Sequence, residues 1–342
     1  MIKLKKQFSD FYDNIKISTE ANDMIKKREI LQKDFEDYFP GICKDHDITV
    51  NKSDMEFFDQ GSYRLNTTIK NKDGSVDRDV AVTFPLDINE NDDPRKLKKY
   101  GREALLINNV REPKIKEPCI TVSYIKKADE YLHIDFPMYA KHNGKLYLAR
   151  GKENSDEYKW EEADPKGLNS YFDNYLVGND QLRRIVRYIK KWKQEKYSNS
   201  DSKNSIPPSI GLTLLACTNF VSCTSSEGDD DLQSLYKTIK NIVNAFSLTY
   251  DGDELVKAEI ICDLPVEPKS DIFYKLKNSD AHGVKFYNRL KKACDNLENA
   301  NNLDSEYDAA TYVQKVLGDE FELPEKKSAA AATVNKREHG FG

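Results

Sequence analysis

No two cysteines in this 342-residue chain are spaced Cys-x-x-Cys, and none of its five histidines belongs to a His-x-x-x-His pair. Structural zinc is therefore excluded as an organising element. Of the six cysteines, Cys43, Cys119, Cys217, Cys223, Cys262 and Cys294, three (Cys119, Cys217 and Cys262) sit in apolar runs and are expected as buried free thiols of a reducing cytoplasm. No run approaches the ~20 apolar residues of a membrane span, and Met1 to Lys6 lacks an apolar signal core, so a soluble, cytoplasmic protein without a membrane partner is expected. Charge of one sign is also missing: 32% of residues are charged, yet the formal net charge is only −5. General attraction to duplex nucleic acid is thereby disfavoured, and basic groups must act locally. Nothing repeats internally, and the length suggests two lobes.

What the chain does hold is three aspartates in alternating strands. Asp77 and Asp79 open the run Asp77-Arg78-Asp79-Val80-Ala81-Val82-Thr83-Phe84, which is rich in β-branched and aromatic residues. Side chains two residues apart share a strand face. Asp77, Asp79, Ala81 and Thr83 thus point one way, while Val80, Val82 and Phe84 point into an expected helix-covered core. The stretch from Leu132 to Tyr139 repeats the pattern, with Leu132, Ile134, Phe136 and Met138 on one face and His133, Asp135 and Tyr139 on the other. A neighbouring strand would set Asp135 beside the first pair.

Three converging carboxylates repel one another unless divalent cations stand between them, and hard oxygen donors suit Mg²⁺ or Mn²⁺ better than zinc. Two such ions assist in-line displacement at phosphorus. Upstream, Gly61-Ser62 offers close backbone approach to a phosphate, with N–H groups and a hydroxyl to hold its oxygens. The combination points to nucleotidyl transfer. Asp-x-Asp alone does not, since it recurs at Asp45 and Asp47, Asp229 and Asp231, and Asp251 and Asp253, which read as solvated loops. Gly74-Ser75 lies too close to Asp77 to serve as the phosphate loop, and Asp73-Gly74 predicts a tight turn.

Phe8, Phe11, Tyr12 and Ile15, then Met24, Ile25, Leu31, Phe35 and Tyr38, recur at helical spacing. Two opening helices are predicted, the second stopped by Pro40-Gly41. Short strands and turns follow to about residue 165, including a hairpin at His142-Asn143-Gly144 and an exposed loop. The period then turns helical: Leu182, Ile185, Val186, Ile189 and Trp192 form a core stripe between Asp180 and Tyr197. Lys190 and Arg183 flank that stripe and, with Arg187, are candidates for a triphosphate site at a lobe boundary. Arg184 and Lys191 lie opposite and read as exposed. After Pro207-Pro208 comes an almost wholly apolar helix, Ser209 to Val221, expected at the centre of a helical second lobe. Ser209 is either a phosphate contact or a helix cap. His133 reads as a structural hydrogen-bonding group. Further helices are predicted near 232–248, 272–276, 283–298 and 306–317. Beyond Leu323 the chain turns alanine-rich and ends at Gly342, a tail expected to be flexible.

Taken together, Gln60-Gly61-Ser62, Asp77-Arg78-Asp79, His133-Ile134-Asp135 with Tyr139-Ala140, Leu182-Arg183-Arg184 through Trp192, and Pro208-Ser209-Ile210 resemble the bacterial cGAS/DncV-like nucleotidyltransferases over about residues 8–320. The resemblance implies an α+β fold: a polymerase-β-like nucleotidyltransferase lobe with a mixed sheet (1–165), an oligoadenylate-synthase-like helical lobe completing the nucleotide cleft (166–322), and a tail (323–342). It implies Asp77, Asp79 and Asp135 as catalytic ligands of two Mg²⁺ ions, with Mn²⁺ an alternative and Asp135 doubling as acceptor of a hydroxyl proton. Gln60, Gly61 and Ser62 match the donor triphosphate loop, Lys190 and Ser209 match triphosphate contacts, and Asp271 matches a base contact.

The activity so implied is synthesis of a cyclic di- or trinucleotide second messenger, by default 3',3'-linked cyclic GMP-AMP, from ATP with GTP or another NTP, in CBASS anti-phage defence. Some relatives are joined through a terminal glycine by ubiquitin-like transfer enzymes of E1/E2 type, which makes Gly342 a conjugation candidate. The zinc insertion of the animal DNA sensor is missing, which speaks against duplex DNA as a partner. Two other readings stay open: a linear oligoadenylate synthase or a transferase acting on a small molecule or RNA end, and an inactive nucleotide-binding scaffold.

Overall fold

The protein is described by a computed structural model covering residues 3–17, 20–109, 112–126, 129–197 and 201–326. The tail from 327, with Gly342, lies outside the described residues. Helices α1 (Lys5–Ile15) and α2 (Glu20–Lys44) lead into strand β1 (Glu56–Gln60), the single-turn helix α3 (Gly61–Arg64) and strand β2 (Val76–Pro85). After α4 (Pro94–Leu106) the chain forms β3 (Lys114–Ile115), β4 (Ile120–Lys126), β5 (Asp129–Phe136), β6 (Met138–His142), β7 (Lys145–Gly151) and β8 (Tyr158–Ala163).

Strand β2 is the axis of this mixed sheet. It pairs antiparallel with β1 on one side and parallel with β5 and then β6 on the other. Asp79 lies opposite Asp135 and Thr83 opposite Tyr139, the same offset, so β5 and β6 act as one long strand interrupted at Pro137. The ladder survives the interruption because Val82 N donates to the Pro137 carbonyl at 3.0 Å. The alternation read in the sequence holds: Val80, Val82 and Phe84 are buried with Ile134, Phe136 and Met138 beneath α2 and α4, leaving the opposite face for the aspartates.

Pro40 does not stop α2, which runs on to Lys44. Phe35, Phe39 and Cys43, four residues apart on one helix face, are fully buried against the sheet. A mid-helix proline costs about 3 kcal/mol, whereas burying one large apolar side chain returns about 1.5–3 kcal/mol. Tertiary packing therefore outweighs the local break.

The second lobe comprises α5 (Pro165–Leu176), α6 (Asp180–Lys196), α7 (Ser209–Asn219), the short hairpin β9 (Thr224–Ser225) and β10 (Gly228–Asp229), α8 (Asp231–Asn244), the hairpin β11 (Ser247–Asp251) and β12 (Glu254–Glu259), α9 (Asp280–Asn302) and α10 (Glu306–Leu317). Asp164 and Asn179 cap α5 and α6 by accepting from Gly167 N and Leu182 N, and Pro165 stands at the first position of α5. Three helix predictions are corrected here. The 232–248 segment ends its helix at Asn244 and becomes a strand that turns at Gly252 (φ 59°) and buries Ala258. Residues 272–276 give only a 3₁₀ turn, Tyr274–Asn278, and the next helix is longer than 283–298.

The first helix also belongs elsewhere than its sequence position suggests. Phe8 and Phe11 pack against Tyr188 and Phe321 with ring centroids 5.1–5.7 Å apart, in the core of the second lobe. That core includes Trp192, fully buried. All six cysteines are buried free thiols. Among the described residues no helix is long and apolar enough to cross a membrane.

Candidate active site

A cleft of about 440 Å³ opens between the sheet and the second lobe, and its floor carries Asp77, Asp79 and Asp135. Strand pairing explains their convergence, since Asp79 faces Asp135 directly and Asp77 faces His133. Each carboxylate has a different setting. For Asp77, burial raises the carboxyl's pKa, but hydrogen bonds from His133 Nδ1 (2.9 Å) and Asn71 Nδ2 (3.1 Å) outweigh it and hold the group below its ordinary value. The Asp77 bond in turn raises His133 to about 9 against its burial, helped by Glu130 on the other ring nitrogen at 2.8 Å. This is the hydrogen-bonding role expected of His133, which is an imidazolium at neutral pH.

Asp79 has no hydrogen-bond partner of this kind among the described residues. Burial, followed by the charges of Asp135 and Asp77, pushes it up to about 7. Asp135 accepts from Thr121 Oγ1 and lies 3.7 Å from Lys116 Nζ. A carboxyl raised by burial and then by two like-charged neighbours marks a site short of positive charge. Three oxygen-bearing side chains without sulfur or nitrogen ligands fit a hard divalent cation such as Mg²⁺ or Mn²⁺. Among the described residues the side chains do not form a ready-made ligand cluster. Asp77 accepts hydrogen bonds from His133 and Asn71, and Asp135 accepts one from Thr121, bonds that orient the two carboxylates.

Above the carboxylates, Gly61 takes a left-handed conformation, φ 66°. A Cβ there would fall 2.3 Å from Asp79 Oδ2 and 3.2 Å from Cγ, so glycine is required twice over, for the turn and for the close approach. Ser62 Oγ shares a 3.0 Å hydrogen bond with Thr68 Oγ1, and Gln60 Oε1 accepts from Tyr139 at 3.0 Å. Beneath this loop Arg78 makes two 2.8 Å bonds to Asp59 and lies 4.1 Å from the Tyr63 ring, fixing β1 to β2.

The second lobe contributes from α6 and α7. Lys190 is buried, and its Nζ donates to the Thr67 carbonyl and hydroxyl at 3.1 Å. Burial, then Arg187 and Lys193, depress its ammonium to about 7. Lys193, brought by burial to about 8, donates to Ser209 Oγ at 2.9 Å. Ser209 is not the cap of α7, a position held by Pro208, and its side chain lines the cleft.

Several of the predicted residues stand apart from the cleft lining or are covered by partners. Asp271 is not among the cleft-lining residues: its Oδ1 accepts from Phe273 N and its Oδ2 pairs with Lys277 at 2.8 Å. Arg187 is buried on the Thr68 carbonyl (3.2 Å) and Asn66 (3.0 Å), while Arg183 pairs with Asp180. Neither lines the cleft. Arg184 and Lys191 are not exposed: Arg184 binds Asp229 and Asp231, and Lys191, 2% exposed, binds Glu320. Asp231 is correspondingly buried, not a solvated loop residue. Lys116, Asn71, Asn169 and Gln194 line the cleft without having been singled out, since isolated polar residues carry no periodic signal.

Residues 55–139 match the family of DncV-like cyclic GMP-AMP synthases, in its nucleotidyltransferase domain. A cyclic GMP-AMP synthase of Escherichia albertii is 33% identical over 172 residues, 47% of this chain and 36% of the relative, so the match spans about a third of that relative's length. Vibrio cholerae DncV cyclic AMP-GMP synthase superposes with a TM-score of 0.67 at 16% identity, covering 94% of this chain and 97% of that one. Its complex with the linear intermediate 5' pppA(3',5')pG gives 0.66 at 16%, covering 93% and 99%. At such identity the likeness is one of fold, and it extends over both lobes.

The Gly61 geometry is tested by unfolding free energies. Gly74 also has a positive φ, 81°, but open space around it. Gly74→Ala is expected to cost about 1–2 kcal/mol from backbone strain alone, and Gly61→Ala measurably more because Asp79 must move. Equal losses in the two variants would contradict the close approach.

Proposed function

We propose that this chain is a bacterial cGAS/DncV-like nucleotidyltransferase and joins nucleoside triphosphates into a cyclic di- or trinucleotide with release of pyrophosphate. The observation that carries this reading is the in-register pair Asp79 and Asp135, with Asp77 two residues away, directly under the Gly61-Ser62 loop. Asp77, Asp79 and Asp135 would hold two Mg²⁺ ions, or Mn²⁺ in their place. When bound, these ions neutralise charge on the reacting phosphate and lower the pKa of the attacking ribose hydroxyl. The residues themselves orient and balance charge. Gln60, the Gly61 backbone and Ser62 hold the donor triphosphate from one side, and Lys190, Lys193 and Ser209 from the other. The depressed ammonium groups of Lys190 and Lys193 suit this role, because a bound triphosphate supplies the anionic partner that each lacks. Asp135 accepts the proton of the hydroxyl, and the linear product re-binds for closure. Positioning and charge neutralisation supply most of the rate, as in other phosphoryl transfers.

The product assigned first is 3',3'-linked cyclic GMP-AMP from ATP and GTP, made in the cytoplasm as a second messenger of CBASS anti-phage defence. Conjugation through Gly342 by an E1/E2-type partner is the accompanying proposal, and it rests on the family resemblance alone.

Incubation with the four NTPs and Mg²⁺ is expected to give a phosphatase-resistant product, identified by mass spectrometry. The Asp77→Ala/Asp79→Ala double variant should lose at least about 10³-fold in rate while remaining folded. Undiminished synthesis by that variant refutes the assignment, and a phosphatase-sensitive product points to the linear synthase. Deleting Gly342 should abolish adducts with the transfer enzyme and leave nucleotide synthesis intact; persistence of adducts ends that part of the proposal.

A further inference from the structure

Three polar side chains of helix α6 converge on one short segment, residues 66–71, which connects the Gly61-Ser62 loop to β2. Arg187 bonds Asn66 and the Thr68 carbonyl, Lys190 bonds Thr67, and Gln194 Nε2 bonds the Lys70 carbonyl and Asn71 Oδ1, both at 3.3 Å. Positions 187, 190 and 194 follow the three-and-four spacing of one helix face. Both ends of the segment touch the site. Thr68 bonds Ser62 at one end, and at the other Asn71 Nδ2 donates to Ser75 Oγ (3.0 Å) and Asp77 Oδ2 (3.1 Å).

We propose that Asn71 is a positioning residue that fixes the Asp77 carboxylate and ties its orientation to helix α6 through Gln194. The inference rests on the reading of Asp77, Asp79 and Asp135 as cation ligands. Asn71 stands in the turn ahead of β2, held by Asn71 N to the Ser75 carbonyl and Gly74 N to the Asn71 carbonyl, each 2.8 Å. Its amide orientation follows from its neighbours: Asp77 only accepts, so the NH₂ must face it, and Gln194 donates to the oxygen left over. With His133 on Asp77 Oδ1 and Asn71 on Oδ2, the carboxylate is held from both sides. The amide joins a donor helix to an acceptor carboxylate, accepting through its oxygen and donating through its nitrogen. Alanine would break both links, and aspartate would set a second negative charge against Asp77. Among the described residues Gln194 Oε1 is buried without a partner, so the amide's bonds to residues 70 and 71 are the ones that set its place. A displacement of α6 against the sheet is thereby delivered to the Asp77 carboxylate.

Partners of a ligating side chain typically affect metal affinity by 10–100-fold. Mn²⁺ binding is measured by electron paramagnetic resonance on the full-length wild type, Asn71→Ala, Gln194→Ala and Asp77→Ala/Asp79→Ala, each with its unfolding midpoint recorded in EDTA. Asn71→Ala is expected to bind Mn²⁺ at least about tenfold more weakly, and Gln194→Ala to shift in the same direction by a smaller factor. In both, product formation requires correspondingly more Mn²⁺, while the nucleotide KM at saturating Mn²⁺ stays at the wild-type value. Wild-type Mn²⁺ affinity in both single variants overturns the positioning role and leaves the cation site standing. A wild type that binds no more Mn²⁺ than the double variant overturns the cation site and this inference with it. Should Asn71→Ala fail to fold, Gln194→Ala decides by the same criterion: a weakened affinity supports the link, and an unchanged one refutes it.

Discussion

Like charges set side by side on neighbouring strands are the constraint to which the rest of this molecule answers. Parallel pairing of β2 with β5 fixes Asp79 opposite Asp135, and a strand's two-residue period forces Asp77 onto the same face. Neither residue can turn away, because the opposite face is committed to a core of Val80, Val82, Ile134 and Phe136. A slip of one residue would bury the aspartates and expose that core, so the hydrophobic pattern itself guards the position of the acids. The cost of crowding appears at Asp79, the carboxyl with no hydrogen-bonded helper among the described residues, pushed up to about 7 by burial and by its two neighbours.

The surroundings meet this repulsion with hydrogen-bond donors more than with exposed ion pairs. His133 and Asn71 serve Asp77, and Thr121 and the more distant Lys116 serve Asp135. Across the cleft, Arg187 and Lys190 are almost wholly buried and spend their donors mainly on backbone carbonyls and short polar side chains of residues 66–68. Surface ion pairs contribute little to stability, but buried cations must be satisfied or they destabilise strongly. The carbonyl contacts therefore lock the second lobe to the segment that carries both the glycine loop and the turn before β2. One polypeptide stretch, 61–77, gathers the close-approach glycine, the seat for α6 and the first metal-type carboxylate.

Much of this was legible in the sequence wherever chemistry coincided with periodicity. The aspartates could be found because each lies in an alternating strand, so pattern and polarity agreed on which face they occupy. The α+β class and the helical character of the second lobe followed from the same signals. Misreadings arose where a distant element decides the outcome. A helical wheel places Arg184 and Lys191 opposite the apolar stripe, yet Asp229 and Asp231 cover one and Glu320 the other. Pro40 looked like a stop because local rules know nothing of the sheet beneath Phe39 and Cys43. Asn71 and Gln194 were invisible, being single polar residues brought together from positions more than a hundred apart.

The central claim is that Asp77, Asp79 and Asp135 jointly hold divalent cations against a nucleoside triphosphate. Crystals grown with Mn²⁺ and a non-hydrolysable triphosphate test it most directly through anomalous scattering. The account predicts two Mn²⁺ peaks among the three carboxylates, with the triphosphate running under Gly61 and Ser62 towards Lys190. A triphosphate bound elsewhere, or bound in the cleft with no Mn²⁺ touching these aspartates, would contradict it.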